Sequence, residues 1–131
     1  MTEHIDMTIF LAVLRTAVGL FFVASGIYQL VAFVTFVDNF TRWGFPVAGI
    51  IVVLVAAAEI VCGALFAAGA LTRPVGLLLA TLAVGATVTA GRIDGGAYLV
   101  VPPLLFVLTV FFAWRSARFP SLTPTRRPGV Q

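Results

Sequence analysis

Residues 7–34 read MTIFLAVLRTAVGLFFVASGIYQLVAFV. A helix needs about 20 largely apolar residues to cross a bilayer, and this run exceeds that length with Arg15 as its one charge. Three further apolar runs follow, at about 46–71, 74–90 and 97–114. Each is long enough to span or nearly so. Together they predict an all-α integral membrane four-helix bundle over residues 7–115, flanked by a short N-terminal segment, 1–6, and a C-terminal tail, 116–131. The tail is rich in Pro, Arg, Ser and Thr and is expected to be disordered. The acidic start, Thr2-Glu3-His4-Ile5-Asp6, lacks the basic flank of a cleaved leader, so the first helix is expected to be retained.

Composition leads to the same class. The chain of 131 residues is 61% hydrophobic and 10% charged, against about 25% charged in an ordinary soluble domain. A soluble fold this small could not hide so much apolar surface. Several chemistries are absent from the sequence. Cys62 is the one cysteine and His4 the one histidine, so no internal disulfide, dithiol or metal cluster is expected. No nucleotide-binding glycine loop and no pair of haem ligands is present. No catalytic residue is therefore assigned, no cofactor is evident, and no nucleic-acid partner is expected. Redox work would require a bound cofactor or a partner chain.

The connections are short. Thr72-Arg73 links helices two and three, which makes them antiparallel neighbours. Pro46 and Pro74 sit at helix starts, where a missing N–H costs nothing. Gly91 and Gly95-Gly96 break the chain before helix four, and Pro102-Pro103 predicts a kink inside it. Between helices one and two, Phe33, Phe36, Val37, Phe40 and Trp43 recur at helical spacing around Asp38, Asn39 and Arg42. That pattern reads as a short amphipathic helix at the membrane surface. The plainer alternative is that helix one extends beyond the bilayer. Arg73, Arg115, Arg118, Arg126 and Arg127 fall on the side of the termini, and Arg42 and Arg92 on the other. The positive-inside rule then places both termini in the cytoplasm. Tyr28, Trp43, Tyr98 and Trp114 fall near span ends, as an aromatic belt would.

Two ionisable residues, Arg15 and Glu59, lie within the spans. Each would cost about 2.5–3.5 kcal/mol or more at the bilayer centre if unpaired. Counted from the ends of their runs at 1.5 Å per residue, they lie at depths of about 12 and 18 Å from the same side, which predicts that they pair. Around them, Gly19, Gly26 and Gln29 share a face of helix one with Arg15. Gly63 shares a face of helix two with Glu59, and Thr81 and Arg92 share a face of helix three. Small residues permit close helix approach, and polar ones on the same face point inward. The bundle is thus expected to hold a polar strip from Arg15 and Glu59 toward Gln29 and Arg92. Two readings of the strip stand. A buried ion pair can serve only to fix helix register. Alternatively the strip lines a pocket for a lipophilic molecule with a polar head.

In order, the chain carries Arg15-xxx-Gly19, Ser25-Gly26-xx-Gln29, Phe40-xxx-Gly44-Phe45-Pro46, Glu59-xxx-Gly63 and Gly69-xx-Thr72-Arg73. This ordered set resembles the DoxX family of small four-helix bacterial membrane proteins, over roughly residues 8 to 114. The resemblance implies a multi-pass protein of the bacterial cytoplasmic (inner) membrane and points to Arg15, Gly26, Glu59, Gly63 and Arg73. The family takes its name from a membrane subunit of a thiosulfate–quinone oxidoreductase, and other members are described as membrane partners of redox-defence proteins. A quinone and a redox partner protein are therefore implied candidates. Two departures weaken transfer of that role. Gln29 stands where members often have lysine, and the family's Gly-Pro-Gly and Ser-Leu-Asp ending is replaced by Phe119-Pro120-Ser121-Leu122-Thr123. The expected function is a non-catalytic accessory subunit, or a binder of a small lipophilic molecule such as a quinone or lipid. A quinone-linked oxidoreductase subunit and a small oligomeric transporter are the alternatives, and the small-residue faces permit a homo-oligomer.

Overall fold

The computed structural model describes residues 2–118, so the C-terminal tail beyond Arg118 lies outside the described residues. Apart from short turns, those residues are helical, without a strand. The elements are α1 (Thr2–Val31), α2 (Phe33–Arg42), α3 (Ala48–Ala68), α4 (Thr72–Ala86) and α5 (Val101–Arg118). Among the described residues, four stretches are long and apolar enough to cross a membrane: 6–31, 48–68, 72–91 and 96–115. The expected helical membrane bundle is the observed one.

The boundaries follow local chemistry. The first predicted run, to residue 34, is cut at Ala32, which leaves the helix at φ −98°, ψ 41°. Phe33 onward is a separate helix, so α2 is not a continuation of α1. α3 ends at Gly69, whose φ of 77° closes the helix by letting the Ala70 N–H reach the Leu65 carbonyl. At its other end Val47 adopts φ 50°, a strained value for a β-branched residue, to turn the chain from Pro46 into α3. α4 continues through a wide π-type turn, Thr87–Gly91, and a single 3₁₀ turn, Gly96–Leu99, leads to α5. The kink predicted at Pro102-Pro103 is not found. Both prolines occupy the first turn of α5, where their missing N–H groups have no helical acceptor to lose.

α1 packs antiparallel on α3, and α4 on α5. The α1–α3 contact is close because glycines face backbone. A Cβ at Gly63 would lie 2.6 Å from the Gly19 carbonyl oxygen, and one at Gly19 would lie 2.5 Å from that of Gly63. Without a hydrophobic drive between helices in lipid, such backbone approach is a main source of association. Toward the termini, Val18, Phe22, Cys62, Phe66, Leu79 and Phe112 fill the bundle, with Phe66 and Phe112 edge to face at 5.8 Å. Phe10, Leu20, Leu54, Val61, Leu78 and Val107 are exposed around the outside, as a lipid-facing surface requires. Toward α2 the packing changes. Phe40 of α2 packs on Ala48 and Val52 of α3, but the space between the four spans is left hollow.

Candidate functional site

Ser25 and Gln29 lie four residues apart on α1 and so share one face. Gly26, between them, presses against α3: a Cβ there would meet the Ala56 carbonyl at 2.6 Å and the Glu59 Cβ at 3.3 Å. That approach brings the Glu59 carboxylate onto both polar side chains. The Gln29 amide donates to Glu59 Oε2, and the Ser25 hydroxyl donates to Glu59 Oε1 at 3.4 Å. The amide also donates to Ser25 Oγ at 3.4 Å. Gln29 and Glu59 are 6% and 9% exposed, so the cluster is buried.

The cluster sits on the wall of a cavity of about 540 Å³, within the ordinary range for small-molecule sites. Aromatic rings supply much of the rest: Phe22 from α1, Phe36 and Phe40 from α2, Trp43, and Tyr98 near α5. The wide turn of α4 contributes Thr89 and Ala90; such turns recur at functional sites. One side is open. Phe21 and Tyr28 on α1, and Thr81 and Gly85 on α4, line the cavity and are also exposed. α1 and α4 make no extensive contact with each other.

At the α2 end a polar clasp closes the rim. Arg42 Nη2 donates to both oxygens of Asp94, at 2.8 and 2.6 Å, and the Trp43 indole N–H donates to the same carboxylate at 2.8 Å. The Trp43 ring also meets Tyr98 edge to face at 5.6 Å. The indole N–H first, and the guanidinium second, hold the Asp94 carboxyl below its ordinary value of 3.8.

The residues expected from the sequence are distributed unevenly. Gln29 and Glu59 meet, and Gly19, Gly26 and Gly63 form the contact that lets them. Thr81 edges the cavity with its hydroxyl bonded to the Leu77 carbonyl. Arg15 does not pair with Glu59. Its guanidinium lies over Gly69, 3.1 Å from where a Cβ would stand. The reason is register. With Gly19 packed against Gly63 and Ala67, and Gly26 against Ala56 and Glu59, Arg15 is level with the C-terminus of α3 and Glu59 is level with Gly26. The separation is about 16 Å along α1. There the cation faces the negative end of the α3 dipole. Arg92 is exposed and outside the cavity wall, so the polar strip does not extend to it. Ser25 was not assigned to the strip, although its four-residue spacing from Gln29 places it on the same face. The Arg42–Asp94 clasp spans 52 residues and has no local signal in the sequence. Among the described residues, no three His, Cys, Asp or Glu side chains gather as a metal site would require.

Fold and site together define a multi-pass helical membrane protein with an aromatic interior cavity and a buried carboxylate–amide cluster on its wall. A family model for DoxX matches residues 10–92, well over half the chain, and the chain belongs to the DoxX family. The matched stretch holds Arg15, Gln29 and Glu59 and ends in the wide turn of α4 with Arg92. No curated protein and no solved structure matches the chain.

Proposed function

We propose that this protein is a non-catalytic binder of a small lipophilic molecule, a quinone or another lipid with a compact polar head, in the bacterial cytoplasmic membrane. One observation carries the reading. An acidic side chain buried in a membrane bundle is costly, and Glu59 is met by two neutral hydrogen-bonding side chains, not by a cation, on the wall of a cavity large enough for a ligand. A pair kept only to fix register would bury its two members against each other and leave no space beside them.

In this reading the head sits against Glu59, Gln29 and Ser25, the rings of Phe22, Phe36 and Phe40 surround its apolar body, and access is from the bilayer between α1 and α4. Five arginines on the side of the termini support an orientation with both termini in the cytoplasm. The test is native mass spectrometry of protein released gently from its own membrane, wild type beside Glu59→Gln. A stoichiometric small molecule that falls away in the variant supports the site. A bare bundle in both forms returns the cluster to a structural role.

A further inference from the structure

With Glu59 as a carboxylate, every hydrogen-bond donor of the polar cluster is engaged, and an acceptor is left over. The Gln29 amide donates to Ser25 Oγ and to Glu59 Oε2, and the Ser25 hydroxyl donates to Glu59 Oε1. Gln29 Oε1 is buried and accepts nothing. Nearby donors on the wall are spent elsewhere: the hydroxyls of Thr81 and Thr89 on carbonyls of their own helix, and the Trp43 indole N–H on Asp94. The phenols of Tyr28 and Tyr98 can act as donor or acceptor and leave the balance unchanged. A buried carbonyl without a partner is costly, and the cost is removed when a ligand supplies the missing hydrogen.

The orientation of the amide is set by its partner. A carboxylate oxygen that accepts must face the NH₂ of Gln29, and this turns Oε1 away from Glu59. A quinone, whose head offers only carbonyl oxygens, would bring a further acceptor to Gln29 Oε1 and to the Glu59 oxygens, so of the molecules proposed above the site disfavours the oxidised quinone and favours lipids whose head carries a donor. One whose head carries a hydroxyl would complete the set.

Resting on the binding role proposed above, we infer that the cavity selects a lipophilic molecule whose head bears a hydroxyl, donated to Gln29 Oε1 beside Glu59. The remaining lone pairs of Glu59 serve a second hydroxyl where the head has one. The same skeleton without that hydrogen is discriminated against. A site that hydrogen-bonds a substrate hydroxyl rejects the analogue lacking it, because its own buried polar group is then left unpaired.

The test is a competition. The full protein in lipid nanodiscs is given equal amounts of a para-alkylphenol and its methyl ether, and native mass spectrometry reads both bound masses in one spectrum. The ether is the more apolar of the two, so partitioning alone favours it. The inference requires the phenol to win by about tenfold or more. In Gln29→Met, which keeps the chain length and removes the acceptor, the ratio should revert to that set by partitioning, with the melting temperature reporting that the bundle still folds. Equal occupancy by the two probes, or preference for the ether, overturns the donor rule and leaves the binding role standing. Such a result would fit a turned Gln29 amide with Nε2 facing the ligand. Binding of neither probe overturns the binding role itself, and the inference with it. The wild-type competition decides these outcomes even where Gln29→Met fails to fold.

Discussion

The half of the bundle toward the termini and the half beneath α2 are built from the same four spans and solve opposite problems. In the first, Phe66, Leu79 and Phe112 interdigitate in the centre, and Gly19 and Gly63 bring α1 and α3 to backbone contact. In the second, aromatic side chains stand around an interior of about 540 Å³. The transition occurs within a single turn. Phe22 packs into the solid half and also forms part of the cavity wall, while Ser25, one turn on, already faces the hollow. The difference teaches that the solid half is what makes the hollow one affordable. Packing concentrated at one end holds four helices together while the other end stays open. Placement of the polar groups follows the same division: the buried carboxylate lies on the hollow side, and Arg15 lies at the far end over Gly69.

The comparison breaks first at Phe66, which is fully buried where the four spans meet. Phe66→Ala should cost about 3 kcal/mol or more through the void it leaves, read as a large fall in melting temperature in detergent. Cavity-wall Phe36→Ala should cost much less, because the space beside it is already empty. Equal losses at the two positions would mean that the halves are not mechanically distinct. Gly63→Ala is the next largest. Its methyl would lie 2.6 Å from the Gly19 carbonyl oxygen, and the helices must separate at about 1–3 kcal/mol. A normal melting temperature would show that the α1–α3 approach carries little of the stability.

The solid half was more legible in the sequence than the hollow one, for physical reasons. Small residues at steps of four and three on residues 12–26 and 56–67 mark a close helix contact wherever they occur, and the glycines expected on those faces are the ones that touch. Arg15 and Glu59 were recognised as inward residues but paired wrongly. Depth was counted from the ends of the apolar runs, whereas the Gly19–Gly63 contact sets the register. Gln29 was placed on the correct face, yet its bond to Glu59 depends on that same register. A pocket beside the polar strip was one of two open readings, but its size and walls could not be read, because an unfilled volume is a property of four helices together and no one of them encodes it. The prolines 102 and 103 were assigned to a helix interior because the 3₁₀ turn at 96–99 is as apolar as the helix it precedes.

Gly85 sharpens the contrast from the hollow side. A Cβ added there meets nothing within 4 Å, on the exposed edge of the cavity. Gly85→Leu should therefore change stability by roughly 1 kcal/mol or less, and in the stabilising direction, since alanine-like residues favour a helix over glycine. It should also narrow the opening and slow ligand exchange several-fold, as followed by release of a bound lipophile into excess vesicles. A pair of measurements decides the point: stability kept with slower exchange supports lateral access, whereas stability kept with unchanged exchange moves the opening elsewhere on the cavity.

The smallest effect is expected at the rim, and its sign is fixed by the Asp94 carboxyl. Its folded-state value lies below the ordinary 3.8, held there by the Trp43 indole N–H and then by Arg42. A carboxyl depressed in the folded state contributes stability that is present above its unfolded value and is lost as pH falls through the folded one. The clasp should therefore persist unchanged from neutral pH down past 3.8 and release only in more acid solution. Trp43 emission reports the step, because the indole loses a charged acceptor when Asp94 is protonated. Trp114 also fluoresces, so the reading is the difference between wild type and Asp94→Asn, in which the step should vanish. Because the pair is exposed and salt screens it, raising the ionic strength should move the step upward toward 3.8. A transition centred above 3.8 would mean that Asp94 is not stabilised as a carboxylate, and that Arg42 and Trp43 do not hold the rim.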